Sequence, residues 1–298
     1  MTGAGLSCLF RRDLNALTPA AITTAAGKCI QGASPDLSGD GSRVAYWAVF
    51  APGSSTIVNG VWQIYVYDFN VAPASRPTLV STSSAGSPQA QGSESVSAIA
   101  EPAISRDGGY VAFRSRGHGL TADAVTGTSH VYLKDLATGA MVLVSKSTSG
   151  ALGNADSAGS GDGHRPALSA SAGSVSFLTS ATNLASETGG IKPNIVTHDP
   201  RTGVTTGYVD KAFGGDPAVS AGGTFLVAYA GTALDATIAS RGMFIFGAAA
   251  NALSTTVVAA VLPSSRSVQV SGAATAFATI LNTGSVAGIG CAIAPATA

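Results

Sequence analysis

Short apolar stretches recur along the chain, each bounded by Ser, Gly, Asp or Thr. Val44-Ala45-Tyr46, Val111-Ala112-Phe113, Val175-Ser176-Phe177 and Val227-Ala228-Tyr229 are one series, and Gln63–Asp68, His130–Asp135 and Asn194–Asp199 are another. No long segment carries the three-to-four spacing of an amphipathic helix, so the pattern predicts strands. Turn chemistry separates them. Asp40-Gly41 and Asp107-Gly108 sit between apolar runs, where glycine accepts a positive φ and closes a hairpin. Asp-x-x-Thr-Gly at 135–139 and 199–203 predicts a second hairpin after the first.

These pieces form a repeat. Its first four copies are Ser34-Pro35-Asp36-Leu37-Ser38-Gly39-Asp40-Gly41, Glu101-Pro102-Ala103-Ile104-Ser105-Arg106-Asp107-Gly108, Arg165-Pro166-Ala167-Leu168-Ser169-Ala170-Ser171-Ala172-Gly173 and Asp216-Pro217-Ala218-Val219-Ser220-Ala221-Gly222-Gly223. A degenerate fifth copy runs from Val268 to Phe277. The prolines lie 67, 64 and 51 residues apart, a drift that loop insertions explain. In the fourth copy Gly222 replaces the aspartate of the turn. The aligned aromatics Tyr46, Phe113, Phe177, Tyr229 and Phe277 are expected in the core. Each unit then holds two hairpins, hence four strands, which is one propeller blade.

The Pro-x-Leu/Ile-Ser-x-Asp-Gly turn, the returning Val-Ala-Phe/Tyr strand and the Tyr-Val strand ending in Asp resemble the TolB-like propeller, also called the PD40 or WD40-like repeat. The resemblance covers residues 30 to 280. It implies an all-β β-propeller of about five four-stranded blades, and a platform for protein partners. The whole chain, 1–298, reads as one propeller domain. Residues 266–298 are either a degenerate last blade or the start of a small β extension. Its strands fall at Val268–Ser271, Ala276–Ile280 and Ile289–Ile293. Leu6–Leu14 imitates a third strand ending in Asp, and Ala20–Thr23 an outer strand. Residues 1–30 are therefore candidate closing strands for the last blade, an arrangement that brings Cys8 near Cys291. A leader without regular structure, or a short helix, is the alternative.

Composition narrows the function. Charged residues are only 11% of the chain and apolar ones 45%. Sixteen basic and sixteen acidic residues balance, leaving no electrostatic footprint for nucleic acid. Weak charge on a Ser/Thr/Gly-rich surface favours association and an extracytoplasmic setting, secreted, periplasmic or in a surface or viral assembly. No apolar run is long enough for a membrane-spanning helix, and no signal peptide is visible at Met1–Cys8. Cys8, Cys29 and Cys291 lack metal spacing. They suit one disulfide and a spare thiol, or three inert buried thiols.

Local motifs for catalysis are absent, with neither a Gly-x-Ser-x-Gly elbow nor a phosphate loop. His118, His130, His164 and His198 share no ligand spacing and read as loop or strand-end polar residues. Asp156 with Gly161-Asp162-Gly163 offers too few oxygens for calcium. No catalytic, metal or cofactor residue is assigned, and the binding residues stay open. Propeller enzymes assemble sites from several blades, and Glu94, Glu101, Arg114, Arg116 and Asp123 form the richest cluster for that role. Trp47 and Trp62, flanking an insertion, suit a sugar- or partner-binding rim, or packing between blades. The leading expectation is a non-catalytic binding or structural module, acting through protein partners or self-association. The alternative is a hydrolase or lyase on polysaccharide or peptide, with its site in the axial funnel. That reading requires converging carboxylates, or a histidine with a carboxylate, at the axis. A filament or capsid-like subunit is the third expectation, with apolar patches buried in the assembly.

Overall fold

The computed structural model describes residues 7–12, 20–24, 26–48, 62–72, 77–90, 100–123, 127–158, 164–186, 193–208, 213–230, 242–247, 257–262 and 277–282. They form two compact units, 1–246 and 247–298. Every named element is a strand. Among the described residues no helix is long and apolar enough to cross a membrane.

In the first unit, β1 (Ser7–Cys8), β2 (Phe10–Arg11) and β3 (Ala20–Ala21) precede the repeats. Blade 1 is β4 (Gln31–Leu37), β5 (Arg43–Ala48), β6 (Gln63–Asp68) and β7 (Thr78–Leu79). Blade 2 is β8 (Ala100–Ile104), β9 (Tyr110–Ser115), β10 (His130–Asp135) and β11 (Met141–Leu143). Blade 3 is β12 (Ala167–Leu168), β13 (Val175–Thr179), β14 (Asn194–His198) and β15 (Thr205–Gly207). A fourth sheet holds β16 (Phe213–Val219), β17 (Phe225–Ala230) and β18 (Gly242–Gly247). All are antiparallel meanders in sequence order. Successive four-stranded meanders packed face to face are the blades of a β-propeller.

The serine of the repeat explains the first hairpin. Ser38, Ser105, Ser169 and Ser220 each accept, through Oγ, the N–H five residues on, at 2.9–3.1 Å. In blades 1 and 2 the same hydroxyl donates to the turn aspartate, Asp40 or Asp107, at 2.6 Å. Blades 3 and 4 lack that aspartate but keep the serine, so the hydroxyl alone suffices to cap the turn. The turns also join consecutive blades. The Gly39 N–H donates to the Arg106 carbonyl (2.8 Å), Asp107 to Ala170 (3.0 Å) and Ala170 to Ala221 (2.8 Å). Gly223, at φ +71°, lies so close to blade 3 that an added Cβ would meet the Ser174 Cβ at 2.9 Å.

Strands between two blades are covered on both faces, so alternate residues enter different cores. Val111 and Phe113 pack against Ala45, Ile64 and Val66 of blade 1. Ala112, between them, faces Val175, Phe177 and Val196 of blade 3. Tyr46, Phe113 and Phe177 are fully buried, as expected. Tyr229 is not: it is 39% exposed. The backbone supplies the reason. The Ser220 N–H donates to the Phe225 carbonyl just as Ser105 donates to Tyr110, so Leu226 matches Val111 and Ala228 matches Phe113. Tyr229 therefore falls at the position of Arg114, one residue out of the aromatic series, and one residue reverses the face. Leu226 and Ala228 are the pair that packs on Leu178 and Ile195. Trp47 and Trp62 stack on each other at 4.2 Å and pack against the core between blades 1 and 2. Buried Lys134 ties the same two blades, donating to the Thr82, Ser83 and Gly139 carbonyls and the Thr82 hydroxyl.

The amino-terminal segment has the anatomy of half a blade. β2 pairs with β3, and Ile22 donates to the Leu9 carbonyl as Val80 does to Ile64 and Val144 to Val131. The turn Thr23–Ile30 repeats the bonds of Thr82–Gln89 and Lys146–Gly153. β1 extends the first sheet by pairing with β4. Leu9, Ile22 and Ile30 pack under Tyr46, Tyr65 and Tyr67 of blade 1. Cys8 is disulfide-bonded to Cys29, so the expected neighbour Cys291 is not its partner; Cys291 lies outside the described residues.

In the second unit, β19 (Val257–Leu262) pairs with β20 (Phe277–Asn282) through six consecutive residue pairs. This ladder is longer than the two- and three-residue outer strands of blades 1–3. The expected strands at 268–271 and 289–293 lie outside the described residues.

Candidate functional site

Three of the four inner strands begin with a kink at the repeat proline. The register shifts between Ala33 and Asp36, between Ala100 and Ala103, and between Gly214 and Ala218. Ser34 (φ 47°) and Glu101 (φ 41°) hold the left-handed conformation within the first two bulges, and Gly215 (φ 82°) within the third. A left-handed Ser or Glu ahead of proline is costly, and bulges re-aim side chains. Here they accompany a convergence of charge from four blades.

Arg165 of blade 3 donates from its guanidinium to Asp36 of blade 1 at 3.1 Å. The other Asp36 oxygen accepts the Ile104 N–H of blade 2 at 2.8 Å. Arg165 also reaches the Ser34 and Pro35 carbonyls. His164 pairs through Nδ1 with Asp216 Oδ1 at 2.9 Å, and the Arg165 N–H donates to that same oxygen at 3.1 Å. Glu101 belongs to this group electrostatically. Burial pushes its carboxyl above the ordinary value; the charges of Arg165, His164 and Arg114 oppose that shift, and Asp216 adds to it. All four paired side chains are partly exposed, so solvent can reach the cluster. Among the described residues no three of His, Cys, Asp and Glu are placed to hold a metal ion.

The cluster expected from sequence is brought together only in part. Glu101 and Arg114 sense each other's charge across β8 and β9. Arg116 instead pairs with Asp156 at 2.8 Å, and Asp123 with Lys146 at 2.7 Å. Glu94 lies outside the described residues, as do 161–163. Asp156 also accepts the Ser129 N–H at 2.6 Å, a loop-fixing role. Three histidines have structural partners: His118 bridges Ala90 through its backbone, His130 sits between Thr128 and Ser145, and His198 bonds Thr205. Burial lowers the pKa of both His130 and His198.

Sequence reading missed Asp36, Arg165 and Asp216 and took His164 for a loop residue. A signal was present: in all four copies a charged residue flanks the repeat proline, as Pro35-Asp36, Glu101-Pro102, Arg165-Pro166 and Asp216-Pro217. Bringing 36 to 165 requires blades 1 to 3 to pack in succession.

No family model and no curated protein matches the sequence. Solved structures do resemble it in part. One is a protein assigned as TolB from Agrobacterium tumefaciens, 17% identical, with a TM-score of 0.39 over 72% of this chain and 57% of that one. Another is the β-propeller domain of the trilobed protease from Pyrococcus furiosus, 12% identical, TM-score 0.38, over 72% of this chain and 53% of that one. A third is the oligogalacturonate lyase from Vibrio parahaemolyticus, 11% identical, TM-score 0.45, over 81% and 57%. The match spans little more than half the length of each of these chains.

Proposed function

We propose that this propeller is a non-catalytic binding platform, engaging a protein partner or further copies of itself, with the axial charge cluster as its recognition surface. The pairing within that cluster carries the reading. Arg165 is spent on Asp36 and His164 on Asp216, so these charges brace the inner strands of four blades against one another. The Cys8–Cys29 disulfide supports an extracytoplasmic setting, because such bonds persist in oxidising compartments.

One observation favours a second reading, a hydrolase or lyase on polysaccharide or peptide. A histidine–carboxylate pair stands beside Glu101, whose raised pKa suits a proton donor. Mass photometry across protein concentration, on wild type and Arg165→Ala, separates the two. Ordered oligomers that the substitution weakens support the platform. A monomer that turns over substrate, and loses turnover in His164→Ala at unchanged melting temperature, overturns it.

A further inference from the structure

At matching places in the half-blade and in blades 1 and 2, the third strand is latched to the outer strand and turn that follow it. Blade 1 uses Gln63, which accepts from the Ser81 hydroxyl and donates to the Gln89 carbonyl at 3.2 Å. Blade 2 uses His130, whose Nδ1 bonds the Ser145 hydroxyl at 2.9 Å. The backbone bonds that align Leu9 with Ile64 and Val131 put Cys8 at this same latch position, and its disulfide to Cys29 stands where the others use hydrogen bonds. The half-blade also borders a cleft. Between it and blade 1 runs a cleft of about 330 Å³, with Leu9, Phe10, Ile22 and the Arg11–Arg12 pair on the half-blade side and Pro35, Asp36, Leu37 and Val44 on the other. Phe10 is 62% and Leu37 57% exposed at its rim. Besides the latch, β1 is joined to β4 by two residue pairs, Leu9 donates to the Ile30 carbonyl, and the described contacts with blade 1 include the Tyr67 hydroxyl to Thr23, Arg11 over Phe69, and packing under the tyrosines.

We propose that Cys8–Cys29 is a redox latch pinning β1 to the chain that enters β4, and that its reduction frees β1, β2 and β3 from that chain and widens this cleft while blades 2 and 3 stay folded. A dithiol delivers two electrons and two protons, Cys8 and Cys29 become thiols, and the dithiol closes to its own disulfide. Local opening without global unfolding is the behaviour of a supersecondary unit at the edge of a sheet.

Amide hydrogen exchange on the whole chain, oxidised and after dithiothreitol, tests this. The Leu9, Ile22 and Ile30 amides are the reporters, and Val80 and Val144, which make the matching bonds in intact blades, are internal controls. At least about tenfold faster exchange at the reporters, steady controls and recovery on reoxidation are expected. Cys8→Ser/Cys29→Ser should exchange like the reduced protein; if it does not fold, the reduction and reoxidation of wild type decide. Unchanged reporters would show that packing alone holds the half-blade. Reporters and controls accelerating together would make the bond a global staple. Either result overturns the latch.

Discussion

Arg165 and Asp36 are 129 positions apart in the chain and 3.1 Å apart in the fold. The contact skips blade 2, passing from blade 3 directly to blade 1, and Asp36 returns to blade 2 through the Ile104 N–H. One carboxylate thereby ties three blades. Both partners are partly exposed, so the ion pair itself contributes less than about 1 kcal/mol. Asp36→Ala also strips the Ile104 N–H of its acceptor and should cost about 1–2 kcal/mol, more than Arg165→Ala. Urea denaturation of the two single variants and the double variant measures both the ranking and the coupling. Equal losses would show that the Ile104 bond contributes nothing.

The one-residue offset of Tyr229 makes a direct contrast. Phe113→Ala empties a fully buried site between blades 1 and 2 and should cost about 3–5 kcal/mol. Tyr229→Ala, at the superficially matching sequence position, should cost about 1 kcal/mol or less. Thermal melts of both variants check the register. A Tyr229 loss as large as that of Phe113 would restore the simple sequence alignment.

The serine caps should rank by burial. Ser105→Ala leaves the Tyr110 N–H without its acceptor at a buried site and takes one of two donors from Asp107, and should cost about 1–2 kcal/mol. Ser220→Ala has the same geometry with more solvent and no aspartate, and should cost about 0.5 kcal/mol. Chemical denaturation midpoints for the two variants give the comparison.

Two opposite pH dependences are expected. His130 and His198 are held neutral by burial, with folded pKa values below the ordinary 6.5. The unfolded chain therefore binds more protons as pH falls below 6.5, and stability is lost through the lowered folded values. His130→Gln should flatten that slope in melts recorded from pH 7 to 4. Glu101 has the reverse sign. Its folded pKa lies above the ordinary 4.5, so stability falls as pH rises from 4.5 through the folded value. Glu101→Gln should leave the protein at least as stable as wild type at pH 7, since it removes a carboxylate that the fold disfavours. A clear loss at pH 7 would give Glu101 a structural role.

Much of the fold was legible locally. Pro-x-Leu/Ile-Ser-x-Asp-Gly states a strand start, a hydroxyl cap and a left-handed turn, each decided by neighbours within a few residues. At the amino end the strand pattern of Leu6–Leu14 and Ala20–Thr23 was legible for the same reason, and the structure has β1, β2 and β3 there. By itself the sequence thus determined the strands, the hairpins and the repeat that stacks them. Only the tertiary structure decided three things. It assigned Cys8 to Cys29, because pairing depends on where strand ends meet and not on spacing. It turned Tyr229 outward, because side-chain face follows backbone register and a single residue reverses it. It gathered Asp36, Glu101, His164, Arg165 and Asp216 into one charged mouth, because residues from separate blades become neighbours only when the inner strands converge on a common axis.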